Sequence, residues 1–274
     1  MKTMTTLALS LTCAAAGLAQ VSAPKGTTWA DSLDAGKKEA AKRGCPILMF
    51  SFDKVSDDCT RLKQNFEDPK VVAVCKVFAC VFVSRDLDLN KFQMSYVGWM
   101  ADSAGAQYTP PLVVFGDAKG NCRKEFRLEA KCPSPEELLE HLLKVLQAVT
   151  PERVENARYE MLMLSTLPEL AQSLCDSLDK LAEKLTSDQV NPFQEELKNA
   201  SLKARAMEVK LEGLKDTKEK KFKSDAKKHY GALKKFMDKL AGFKGKTIDT
   251  FKGHLDKCKE GAAEIKKIAD EAKE

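Results

Sequence analysis

Apolar residues follow two rhythms along this chain, and the change comes near residue 150. Before it, short continuous apolar runs alternate with helical spacing. Trp29 to Arg43 reads as an opening helix with Trp29, Leu33 and Ala40 on one side. Gly44 ends it and Pro46 blocks any continuation. Ile47 to Phe52 reads as a buried strand. A helix carrying Leu62 and Phe66 starts after Ser56. Asp68-Pro69 fits an N-cap followed by a first-turn proline, so a short helix is predicted over Pro69 to Lys76. Val77 to Ser84 is nearly all apolar, as in a strand covered on both faces. Arg85-Asp86-Leu87-Asp88 leaves the sheet, and Lys91 to Ala101 is predicted helical. Leu112 to Phe115 and Cys122 to Leu128 flank a hairpin turn over Gly116 to Asn121. Ser134, Pro135 and Glu137 then start a helix through Leu146 with a capping box.

After Pro151 the apolar residues recur in steps of four and three. The stripes are Leu174, Leu178, Leu181, Leu185; Phe193, Leu197, Ala200, Ala204, Met207, Leu211, Leu214; Phe222, Ala226, Tyr230, Leu233, Met237, Leu240; and Ile248 to Ala272. Val154, Ala157, Met161 and Leu164 read as the beginning of the first of them. Each makes one narrow seam on a charged helix. Four such helices joined by short loops predict an antiparallel bundle. Asn191-Pro192-Phe193-Gln194 marks one helix start. The last seam holds Ala262, Ala269 and Ala272, which bury little area. It is expected either to dock within the chain, helped by a Cys175–Cys258 bridge, or to pair with a second copy.

The chain ahead of these regions reads as a secretory signal. Lys2 supplies the charged start and Thr5 to Leu18 the apolar segment, too short to span a bilayer. Gly17-Leu18-Ala19 places the cut before Gln20; Val21-Ser22-Ala23 is the alternative, with Pro24 just beyond it. Leu11-Thr12-Cys13 is a poor lipidation motif. No later run is long enough for a transmembrane helix. The expected organisation is a signal peptide over 1–19, an α/β domain over 27–149 and a lysine-rich helical bundle over 151–274. The product is expected to be exported, either periplasmic or extracellular. Of nine cysteines, all but Cys13 remain after the cut, an even number that makes disulfides plausible in an exported chain. The net charge of +5 is modest beside 45 basic and 40 acidic residues and does not imply nucleic-acid binding.

In the first region the element order is helix, strand, helix, strand, helix, hairpin, helix. That order, with Pro46 to Phe52, the segment Asp53 to Thr60 and Tyr108-Thr-Pro-Pro-Leu-Val-Val-Phe115, resembles the thioredoxin superfamily. It is most similar to the exported branch with an extended first helix. The resemblance covers about 120 residues, less than half the chain. It implies a thioredoxin-like fold, with the helix bundle following it. Where the family opens its first core helix with C-x-x-C, this chain has Ser56-Asp57-Asp58-Cys59. Ser56 takes the place of the attacking thiol, and a hydroxyl cannot perform disulfide exchange. Its plain role is an N-cap. Cys59 matches the second, resolving cysteine. Asp57 and Asp58 suit a helix N-terminus but oppose a nearby thiolate. Cys59 also reads as a buried thiol or a structural disulfide partner. Thr109-Pro110 matches the family's threonine and cis-proline, which makes Pro110 the cis residue and Thr109 a backbone partner for an extended peptide; the plain alternative is an ordinary turn.

Other residues point to structure. Cys122 is expected near Cys132, and Cys45 near Cys75 or Cys80, with connectivity open. No C-x-x-C pair supports a zinc site, and no metal or cofactor is expected. His141, His229 and His254 form no ligand cluster and read as solvated helical residues. Lys198 to Lys246 is rich in lysine; an anionic surface, polysaccharide or nucleic acid would suit it, but a solvated helical face explains it, and nucleic acid is not favoured.

The reading is therefore an exported protein with a degenerate thioredoxin-like active site. It is expected to be non-catalytic and to bind a protein or peptide through Ser56, Asp57, Asp58, Thr109 and Pro110. One alternative is a thiol-disulfide oxidoreductase or isomerase using Cys59 as a monothiol. Another is a structural envelope or extracellular scaffold.

Overall fold

The computed structural model describes residues 21–100, 108–184, 190–213, 220–241 and 248–271. Residues 1–19, expected to form a signal peptide, therefore lie outside the described residues, as do Leu185, Leu214 and Ala272.

A five-stranded mixed sheet lies at the centre of the first region, with strand order β1-β3-β2-β4-β5. β1 (Trp29–Ala30), β3 (Ala79–Ser84) and β2 (Ile47–Phe52) run parallel. β4 (Leu112–Gly116) runs antiparallel to β2, and β5 (Leu128–Glu129) antiparallel to β4. Both faces are covered. Leu48, Phe50, Phe52, Cys80 and Phe82 face a core shared with α2 (Asp57–Asn65), α3 (Pro69–Cys75) and α5 (Pro135–Val149). Ile47, Met49, Val81 and Val83 face the opposite side, with α1 (Leu33–Arg43) and α4 (Leu89–Ser95). This double burial is why β2 and β3 read as unbroken apolar runs rather than alternating ones.

Local signals set most boundaries. Gly44 adopts φ 60° and closes α1. The Asp68 side chain caps α3 ahead of Pro69, and Ser134 with Glu137 forms the predicted capping box at α5. Two expectations need correction. Trp29 opens no helix: it starts β1 beside Cys80, and α1 begins at Leu33 with Ser32 as its cap. Trp29 instead packs edge-on against Phe66 and Phe82. The hairpin's return strand is broken, with a lone bridge at Gly116–Cys122, a 3₁₀ turn over Lys124–Phe126, and only then β5. The helix predicted over Lys91 to Ala101 is present as α4 continued by a π turn over Tyr96–Met100, with Ala101 outside the described residues.

The second region is helical. α7 (Leu167–Lys184), α8 (Val190–Gly213), α9 (Lys220–Ala241) and α10 (Ile248–Glu271) share one apolar core. Leu174, Leu178, Leu181, Leu197, Ala200, Met207, Leu211, Ala226, Leu233, Cys258, Ala262 and Ile265 meet there, as their spacing predicts. Gly261 lets α10 approach α9 closely, because an added Cβ would lie 3.1 Å from the Leu233 Cβ. α10 thus docks within the chain. The lysines Lys227, Lys228, Lys234, Lys235 and Lys239 of α9 point outward, and Lys234 pairs with Glu208 at 2.6 Å.

α6 (Val154–Leu162) joins the two regions. Val154 and Ala157 are buried in the first core, with Met161 packed against it. Arg153 donates from Nε to the Gly44 carbonyl at 2.9 Å, and also bonds the Arg43 carbonyl, capping α1 from outside. The stripe beginning at Val154 therefore completes the α/β core instead of starting a bundle helix. On its other side, the Arg205 guanidinium of α8 lies over Tyr159 at 5.2 Å.

Candidate functional site

β2 and β3 are parallel neighbours, so the loops leaving their C-terminal ends emerge on one edge of the sheet. The loop from β2 carries the S-x-x-C segment. The Lys54 amide donates to Asp86 Oδ2 at 3.2 Å, and Lys54 Nζ pairs with Asp86 Oδ1 at 3.2 Å. These contacts tie the two loops together.

Ser56 is the N-cap of α2, with extended backbone at φ −98° and ψ 115°. Its Oγ accepts from the Cys59 amide at 3.2 Å, as expected of a residue with no nucleophilic task. Asp57 and Asp58 occupy the first turn, where the helix dipole favours negative charge. Asp57 is exposed, while Asp58 pairs with Arg61.

Cys59 is 0 % exposed and belongs to the core beneath α2. Its Sγ accepts from the Asp53 amide at 3.4 Å. Burial pushes the thiol pKa up, and the Asp53 and Asp58 carboxylates add to that. The bonds from the Asp53 amide and Ser56 oppose the rise without cancelling it. A thiol in this setting is neutral at physiological pH and sealed from solvent, the reverse of a reactive cysteine's surroundings.

The segment entering β4 faces the same edge. Tyr108 Oη lies 2.8 Å from Ser51 Oγ, inside the sheet's end. Burial pushes the Tyr108 pKa well up, and both Cys59 and Asp53 act on it electrostatically, so this segment and the S-x-x-C loop share one neighbourhood. Thr109 is exposed and Pro110 half-buried. The cis bond lies between Pro110 and Pro111, so Pro111 is the cis residue, one position later than the resemblance implied. Pro111 is buried, and its carbonyl accepts from the Ala130 amide at 3.0 Å.

Three apolar side chains on this edge went unrecognised in the sequence. Val55 is 82 % exposed, Leu87 52 % and Leu89 51 %. The leucines of Asp86-Leu87-Asp88-Leu89 alternate with carboxylates in a segment that has left the sheet, and that was the available signal.

The remaining candidates are structural. None of the eight described cysteines is disulfide-bonded in this structure. Cys132 Sγ instead accepts from Asn65 at 3.8 Å. Cys258 contacts the Leu233 carbonyl at 3.8 Å, and burial pushes its pKa up to about 12. His141 is half-buried rather than solvated. Its Nε2 donates to the Phe126 carbonyl at 2.7 Å, and loss of solvent lowers its pKa. Among the described residues no group of three or more His, Cys, Asp or Glu side chains converges, and no helix is long and apolar enough to cross a membrane.

Compared with protein-family models and with curated proteins, the chain matches none.

Proposed function

We propose that this chain is an exported thioredoxin-like protein that no longer performs thiol chemistry and instead binds an extended protein segment at the edge formed by residues 53–59, 86–89 and 108–111. The sheet order, with three parallel strands followed by two antiparallel ones, supports the fold assignment. One observation carries the functional reading. The thiol of the S-x-x-C segment is sealed at 0 % exposure, while Val55, Leu87 and Thr109 around it stand open to solvent. Exposed apolar side chains beside an exposed backbone segment suit the side-chain pockets and main-chain contacts that extended peptides use. The proposed cut before Gln20 fits the packing of the residues that follow it. Pro24 is buried, and Val21 and Ala23 pack against the core, so a chain starting at Gln20 keeps them.

The bundle then serves as a scaffold. The α10 seam is covered by α7 and α9 within the chain, so a homodimer through the C-terminal helices would need other faces.

The test uses a reduced and carboxymethylated globular protein as an unfolded probe, with hydrogen–deuterium exchange on the full chain. Slower exchange is expected in 53–59 and 108–111, and none over 220–241. Unchanged exchange at both loops, with saturating probe, would overturn the binding reading. In parallel, insulin-type disulfides should not be reduced above background. Turnover that vanishes in Cys59→Ala would establish the monothiol oxidoreductase instead.

A further inference from the structure

We infer that Cys75 and Cys80 form an intrachain disulfide when the protein folds under oxidising conditions. Cys75 is the last residue of α3, and Cys80 the second residue of β3. The link between them is a tight reversal. Val77 N donates to the Val74 carbonyl and Phe78 N to the Cys75 carbonyl, both at 3.0 Å. This turn brings the chain back so that the Cys80 thiol donates to that same Cys75 carbonyl at 3.4 Å. Both are buried, Cys75 at 0 % and Cys80 at 4 %, within the core beneath α2, α3 and α5.

Cys45 is the nearest competitor, and its position counts against it. Its side chain joins the opposite core, with Leu33, Ala40 and Ile47, on the α1 side of the sheet. Cys75 and Cys80 share one face and one turn. Export supplies the setting in which such a pair oxidises.

The oxidant is a small-molecule or protein disulfide, and the exchange takes place while the turn is still open to solvent. The Cys75 thiolate attacks one sulfur of the oxidant, and the other sulfur leaves as a thiolate. The Cys80 thiolate then attacks the Cys75 sulfur of the mixed disulfide and displaces the second oxidant thiolate. The pair loses two electrons, the oxidant gains them, and the two cysteine protons end on the two released thiols.

The test needs no partner. The full chain is refolded in oxidised and reduced glutathione, quenched in acid, denatured and alkylated. A matched sample is reduced first. The oxidised sample should carry two fewer alkyl groups. A non-reduced tryptic digest should contain one species joining residues 71–76 to residues 77–85, because Lys76 lies between the cysteines. Cys45→Ala should leave that species in place, and Cys75→Ala should abolish it and return Cys80 to the alkylated set. Equal alkylation of the two wild-type samples, or a digest joining Cys75 or Cys80 to another cysteine, would overturn the inference. The wild-type digest decides even where Cys75→Ala fails to fold. Because the oxidant is supplied, the result is independent of both export and peptide binding.

Discussion

Alkylation of Cys59 is the sharpest measure of whether this edge is capable of thiol chemistry. The side chain is fully covered, as is Leu62 one turn later, so a reagent reaches the thiol only after the start of α2 opens. That opening exposes a leucine, at about 2 kcal/mol, and the cysteine, at about 1 kcal/mol. It also releases the Ser56 cap, at about 1 kcal/mol. An opening cost of about 4 kcal/mol slows the reaction roughly 1,000-fold, since each 1.4 kcal/mol is a factor of ten. The raised pKa acts in the same direction, because only the thiolate reacts. The assay is a time course with iodoacetamide at pH 7, read by peptide mass spectrometry, with the partly exposed Cys132 as the internal reference. Cys132 should be labelled first, and Cys59 about three orders of magnitude later. The Cys59 rate should keep climbing with pH beyond the ordinary thiol range rather than level off below it. Labelling of Cys59 as fast as Cys132 at pH 7 would refute the sealed-thiol argument and favour the monothiol alternative.

Three further outcomes follow from the geometry. Ser56→Ala should cost about 1 kcal/mol in denaturant unfolding while Ser56→Asp stays within a few tenths, because either serine or aspartate accepts from the Cys59 amide; equal losses in both would dismiss the cap. A fragment of residues 21–164 should be more stable than one of 21–150 by roughly 3–4 kcal/mol, from Val154, Ala157 and the Arg153 bonds to α1; coincident urea midpoints would place α6 outside the first core. His141 has a folded pKa below its unfolded value, so the unfolded chain binds more protons as pH falls through the usual histidine range. Stability from this site is fully present above about 6.5 and is lost as pH falls toward the depressed folded value; His141→Gln, which keeps an N–H for Phe126, should flatten that part of the curve, and an unchanged slope between pH 7 and 5 would exclude the histidine as its source.

The sequence by itself determined the elements whose causes are local. Asp68-Pro69 and Ser134-Pro-Glu-Glu137 cap helices through bonds within four residues, and the bundle seams follow from a 3.6-residue repeat. That Ser56 cannot carry out disulfide exchange was legible for the same reason, since a hydroxyl offers no sulfur in any packing. Tertiary structure decided the rest. Trp29 has a helical register, but pairing with Cys80 makes it a strand, because sheet partners lie far away in sequence. The stripe from Val154 has the spacing of a bundle helix, yet periodicity specifies only that a face is buried and not what covers it. The cis bond falls at Pro111 rather than Pro110, a choice between two adjacent prolines on which composition is silent. Whether Cys59 is a nucleophile or a core residue depends on solvent access, and that is set by the whole fold packed over α2.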